Sequence, residues 1–203
     1  MADAFWHEFI TEKSFRVLQE LRKKYDFVLI GGWAVFLYTK QLKSKDIDIV
    51  VGAETLGRLK KDFDVVKNER LQKYEIKMEG FDVDIYVAFW SQLGLSLDYI
   101  LQNSVSIEGF KVPTKEILLC LKIYTYSQRK SNLKGQKDKI DIISLLYFDG
   151  VDFNNLRDIL EKFSFGNLLL ELKELLNSAA ETEELGLNKK QYADFKKRIL
   201  KRI

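Results

Sequence analysis

Two short stretches place carboxylates inside what otherwise reads as apolar strand. DIDIVV, residues 46–51, carries Asp46 and Asp48, and FDVDIYV, residues 81–87, carries Asp82 and Asp84. Residues two apart in a strand share a face, so each pair projects to one side. Ile47 and Ile49, or Val83, Ile85 and Val87, then point to the other. Carboxylates crowded on one face repel, and burial raises a pKa unless a cation compensates; oxygen donors of this type suit a divalent ion, magnesium above all. A single pair also occurs at exposed strand ends, where charge blunts an edge. Two pairs in one chain, the first behind a Gly31-Gly32 step, favour acids that converge: if the two strands are neighbours, three or four carboxylates meet.

The glycines add a second component. FVLI before Gly31 reads as a strand and WAVFLYTK after Gly32 as a short helix. A missing side chain at that junction lets a phosphate approach backbone N–H groups at a helix N-terminus. A turn needing positive φ or close packing explains a Gly-Gly equally well on its own. Neither GxGxxG nor GxxxxGK[ST] is present, so the dinucleotide-binding and P-loop patterns are excluded.

The elements that must position these residues divide into two parts, expected at 1–112 and 113–203. Apolar positions at helical spacing (Phe9, Ile10, Val17, Leu18, Leu21) predict a first helix over 4–24. ETLGRLKKDF reads as a helix, YEIKM as a strand and SVSIEGFKV as a hairpin turning at Glu108-Gly109. After the only proline, Pro113, the pattern is helical to the end: TKEILLCLKIYTYSQRK, KDKIDIISLLYF, FNNLRDILEKF, GNLLLELKELLNSA and NKKQYADFKKRIL. The expected fold class is therefore α/β (α+β), followed by an all-helical part.

Composition sets the outer limits. The 203 residues are 46% hydrophobic, enough for a substantial core without staples. The single cysteine, Cys120, lies in the run ILLCLKIY and reads as a buried helical thiol. No apolar run approaches the roughly 20 residues needed to span a bilayer, and no signal-peptide pattern stands at the start, so a soluble cytoplasmic protein without membrane contact is expected. The one histidine, His7, cannot build a zinc site. A net charge of +3 diagnoses nothing by itself, but basic residues concentrate in RKSNLKGQKDK (129–139), expected to be a loop, and in the tail KKRILKRI. Lys122, alone in an apolar helical run, reads as a snorkelling lysine, and Lys137 with Asp141 as a surface pair. Most of the aromatics read as core, while Trp33 beside the glycines and Tyr86 beside Asp84 are placed to border a bound group.

The order strand, Gly-Gly, short helix, basic loop, Asp-Ile-Asp and later strand Asp resembles the DNA polymerase β-like nucleotidyltransferase superfamily. That resemblance implies a mixed β-sheet flanked by helices and transfer of an NMP from an NTP, such as ATP, to a hydroxyl acceptor. It implies Gly31 and Gly32 at the triphosphate, and Asp46, Asp48 and Asp84, with Asp82 the alternative, on two Mg2+ ions for which Mn2+ can substitute. Trp33 stands where the family often has Ser or Thr; GGW is similar to some antibiotic-modifying members. VPTKEILLCLK, Arg129, Lys137-Asp138 and Ile140-Asp141-Ile142 look like the helical part of the AbiEii-type enzymes, which include toxins of toxin–antitoxin systems. There Lys122 and Asp138 or Asp141 are implied to line the nucleotide, with RNA or tRNA as acceptor and a cognate antitoxin protein as partner. A small hydroxylated acceptor such as an aminoglycoside, or a non-catalytic relative that binds nucleotide or a partner, are the alternatives.

Overall fold

The computed structural model describes residues 2–148, 150–178 and 186–203, with side chains from Glu8 onward. The chain divides into two compact units, Met1–Thr114 and Lys115–Ile203.

The first unit runs α1 (Ala2–Lys24), β1 (Val28–Ile30), α2 (Gly31–Thr39), β2 (Ile47–Val51), α3 (Ala53–Asp62), β3 (Val65–Asn68), β4 (Lys73–Lys77), β5 (Asp82–Val87), α4 (Leu97–Gln102), β6 (Ser104–Ile107) and β7 (Phe110–Pro113). Five of these strands form one sheet in the order β1-β2-β5-β4-β3, and β6 pairs with β7 as the expected hairpin. The sheet is mixed: β2 and β5 run parallel, and the other described pairs are antiparallel. β-branched residues put the core on one face. Ile47, Ile49, Val83, Ile85 and Val87 are fully buried, while the alternating Asp48, Asp82, Asp84 and Tyr86 are only half-buried on the other face. β2 begins at Ile47, so Asp46 stands just ahead of it. β3 and α4 were not foreseen: β3 is short and half polar, and α4 is a six-residue helix capped by Ser96, whose side chain accepts from the Tyr99 N–H.

The second unit is helical among its described residues: α5 (Lys115–Arg129), α6 (Leu133–Tyr147), α7 (Phe153–Lys162), α8 (Gly166–Ser178) and α9 (Lys189–Leu200). α5 packs against α6, α7 and α8, and its Ile117, Leu118, Leu119, Cys120 and Ile123 are sealed. Asn132, Asp152 and Asn188 cap α6, α7 and α9 through side-chain oxygens, the last in a reciprocal box with Gln191. The basic stretch 129–139 is therefore not a loop. α5 ends at Arg129 and α6 begins at Leu133, with a corner so tight that a Cβ on Gly135 would meet the Arg129 carbonyl oxygen at 2.2 Å. The basic tail continues the end of α9, as a solvated helix terminus. No described helix is long and apolar enough to cross a membrane.

Candidate active site

Strand register brings the acids together. In the parallel β2–β5 pair Asp48 stands opposite Asp84, and Ile47 opposite Val83. One step earlier, the Asp46 carboxylate accepts the Asp82 backbone N–H at 3.2 Å. Asp82 points its own carboxylate to Lys77, 2.8 Å away. Asp84, with only 13% of its side chain exposed, is thus the acid beside Asp48, and Asp82 is committed elsewhere. Burial first, then the Asp48 charge, push the Asp84 carboxyl up from 3.8 to about 7, against the opposing pull of Lys73. The Tyr86 hydroxyl, two residues further along β5, reaches Asp48 Oδ1 at 3.4 Å.

The glycine step meets this face directly. Ile30 at the end of β1 pairs with Asp48, and the chain turns into α2 at the next residue. Gly31 has φ +68°, a conformation open to glycine at little cost, and a Cβ there would stand 2.1 Å from Asp48 Oδ2. Ile30 supplies no side-chain cap to α2, whose first turn thus opens beside the acids. At Gly32 a Cβ would meet Ser44 Oγ at 2.7 Å; that hydroxyl donates to the Asp46 carbonyl at 3.0 Å and so ties the loop carrying Asp46 against the helix start. Both glycines are required by close approach.

Trp33 takes a different part from the one expected of it. Its indole is 1% exposed, donates to Ser14 Oγ at 3.0 Å and lies against Phe15 and Phe36. The side chain therefore belongs to the packing between α1 and α2, because position 33 on the helix faces α1, and only its backbone remains near the site.

Sequence reasoning missed a cationic brace behind Asp84. Lys73 on β4 places Nζ 2.5 Å from Asp84 Oδ2 and 3.0 Å from Glu75 Oε1, with 11% of its side chain exposed. Glu75, opposite Asp84 in the β4–β5 register, also takes Lys77 at 2.9 Å and the Asn68 amide at 2.8 Å. Burial alone would raise the Glu75 pKa, yet these hydrogen bonds from Lys77, Lys73 and Asn68 bring it down to about 2. The signal was present in KYEIK, whose charges alternate at strand period while Tyr74 and Ile76 turn to the core.

The donor set fits a hard divalent ion: Asp46, Asp48 and Asp84 offer carboxylate oxygens, and Asp84 Oδ1 is buried without a hydrogen-bond partner among the described residues. Asp48 and Asp84 face each other in register, and no cluster of three metal-binding side chains stands assembled among the described residues. Asp46 is held by the Asp82 N–H and Asp84 Oδ2 by Lys73.

In the helical unit, Lys122 on α5 lies between two acids of α6, 3.2 Å from Asp138 Oδ1 and 2.6 Å from Asp141 Oδ2. Arg129 Nε adds a 2.7 Å contact to Asp138 Oδ2. Lys122 does not snorkel outward and Asp141 is not a surface residue: both acids are 2% exposed, since positions three apart on α6 share the face that packs on α5. Arg129 and Lys130, which pairs with Glu171 at 3.0 Å, are thereby drawn into ion pairs within the unit. Cys120 is a buried thiol, its pKa pushed up to about 12 by burial and the Glu116 charge. The side chains of residues 1–7, His7 and Trp6 among them, lie outside the described residues.

No protein-family model and no curated protein matches the chain. Among solved structures it is similar to a Helicobacter pylori protein provisionally named a nucleotidyltransferase, with a TM-score of 0.51 at 16% identity over 95% of this chain and 94% of that one. JHP933 from Helicobacter pylori aligns over 95% and 91% at 16% identity with a TM-score of 0.49. An antigenic nucleotidyltransferase-like protein from Paracoccidioides brasiliensis aligns over 81% and 92% at 20% identity, also at 0.49. At these identities the likeness is one of fold alone: the mixed sheet and its helices are arranged like those of the Helicobacter pylori structure at TM-score 0.51.

Proposed function

We propose that this chain is a magnesium-dependent nucleotidyltransferase that moves an NMP from an NTP to a hydroxyl acceptor. The observation that carries the reading is the junction of Gly31 with Asp48: a helix start without a side-chain cap opens within contact distance of a carboxylate that faces a second, buried one. Backbone N–H groups of a first helical turn are anion seats, and the Gly31-Gly32 step leaves room for phosphate to reach them. Asp46, Asp48 and Asp84 would hold the metal, which supplies neutralisation of triphosphate charge and polarisation of the α-phosphate. Ser44 fixes the Asp46 loop and Tyr86 steadies Asp48. Asp84 Oδ1, whose partner oxygen Lys73 holds, would be a ligand of that ion, and the acceptor hydroxyl, acidified beside it, would release its proton to solvent. The hydroxyl oxygen bonds to the α-phosphorus as the bond to the β-phosphate breaks, and pyrophosphate leaves. Charge neutralisation and positioning account for most catalysis of this kind.

Two acceptor classes are distinguished by their physics. RNA, tRNA in particular, draws support from the cations Lys134, Lys137 and Lys139 along α6 and from the basic end of α9. A small hydroxylated acceptor draws support from the engagement of Arg129 and Lys130 inside the unit. Each labelled NTP is incubated with purified protein, Mg2+ or Mn2+, and in parallel total RNA, tRNA or an aminoglycoside panel. Label transferred to RNA, with binding that weakens steeply as salt rises, selects the first class. Asp48→Asn serves as the blank, and transfer by that variant at the wild-type rate would refute the assignment.

A further inference from the structure

We propose that Lys73 is a positioning residue for Asp84, holding one carboxylate oxygen so that the other, Oδ1, is the only one offered beside Asp48. The inference rests on the reading of Asp46, Asp48 and Asp84 as a metal site and deepens it. Its grounds are geometric. Lys73 Nζ lies 2.5 Å from Asp84 Oδ2, while Asp84 Oδ1 is buried and has no hydrogen-bond partner among the described residues. A carboxylate pinned at one oxygen by a buried ammonium loses its freedom to rotate, and the orphaned oxygen is presented in a fixed direction. Lys73 is itself held: Glu75 Oε1 takes its ammonium at 3.0 Å, and Glu75 is fixed in turn by Lys77 and Asn68. The brace thus runs across β3, β4 and β5, from Asn68 through Glu75 and Lys73 to Asp84, and every member stands on a paired strand.

Two consequences separate this role from simple charge balance. First, Asp84 contributes to a bound ion through a single oxygen, so substitution of Lys73 should alter ion binding even where the fold is intact. Second, the holding group must be a donor, so arginine should replace lysine better than any neutral side chain of similar length. Outer partners of metal ligands typically contribute about 10- to 100-fold in metal affinity or activity.

The test is titration of Mn2+, followed by its EPR signal, into wild type, Lys73→Met, Lys73→Arg and the double variant Lys73→Met/Glu75→Gln. It is run with and without a non-hydrolysable NTP, and each fold is checked by circular dichroism and thermal melting. The double variant removes one charge of each sign and so keeps the net charge of the strand pair unchanged, which guards against failure to fold. Expected is a loss of about 10- to 100-fold in Mn2+ affinity for folded Lys73→Met or the double variant. Lys73→Arg should stay near wild type, and NTP turnover should fall in kcat with little change in KM for the nucleotide. Wild-type Mn2+ affinity in both folded neutral variants would overturn the inference and leave the metal reading standing. Failure of the wild type to bind Mn2+ under any of these conditions would overturn both.

Discussion

Replacing Asp84 by asparagine should make the protein inactive and, above neutral pH and without metal, more stable. Burial and the facing Asp48 hold the Asp84 carboxyl near 7 against an ordinary 3.8. A folded-state pKa above the unfolded one means that the folded chain binds the extra proton between those values. The contribution of Asp84 to stability is therefore fully present below pH 3.8 and is lost as pH rises through about 7. At 1.36 kcal/mol per pH step, the ionised carboxylate costs at most about 4 kcal/mol at pH 8. Asparagine keeps the shape and removes the charge, but Lys73 then loses its 2.5 Å partner and retains only Glu75 among the contacts described here. That loss offsets about 1–3 kcal/mol, leaving a net gain of about 1–3 kcal/mol at pH 8. Urea unfolding of wild type and Asp84→Asn in chelator, from pH 4 to 8, measures both the difference and its slope. The wild type should weaken across this range by about 4 kcal/mol relative to the variant, so that the variant is the weaker protein at pH 4 and the two curves cross before pH 8. Parallel curves, or a variant weaker than wild type at pH 8, would refute the reasoning that burial and the Asp48 charge outweigh Lys73 at Asp84.

Gly31→Ala places a Cβ on Asp48 in a positive-φ conformation, so it should cost about 1–3 kcal/mol in thermal unfolding and abolish NTP transfer by displacing Asp48. Trp33→Phe strands the buried Ser14 hydroxyl and should lower stability by about 1–3 kcal/mol while leaving the KM for NTP within twofold, which steady-state kinetics would show. Lys122→Met leaves Asp138 and Asp141 buried without their shared cation; a loss of about 3–5 kcal/mol is expected by urea titration, and Lys122→Met with Asp138→Asn and Asp141→Asn should recover much of it.

Period and residue type carried much of this molecule. The alternation in DIDIVV and FDVDIYV announces acids on one strand face because extended backbone turns every second side chain the same way, whatever the strand pairs with. The change to helix after Pro113 and the burial of Cys120 follow from apolar spacing in the same local manner. What local pattern does not contain is register. Asp82 and Asp84 are equivalent in sequence, and only the pairing of β2 with β5 puts Asp84 opposite Asp48, while that of β4 with β5 sets Asp82 against Lys77. Lys73 and Ser44 lie outside the motifs, and their places beside Asp84 and Gly32 come from strand order and a loop that folds back. Trp33 follows the glycines yet turns into the packing against α1, because the helix phase and the neighbour on that side decide its direction. For Asp138 and Asp141, helical spacing says that they share a face, and only the packing of α6 on α5 says that the face is buried around Lys122. Sequence alone determines which side chains travel together, since that follows from backbone period. Tertiary structure decides what they meet, since that depends on contacts between segments far apart in the chain.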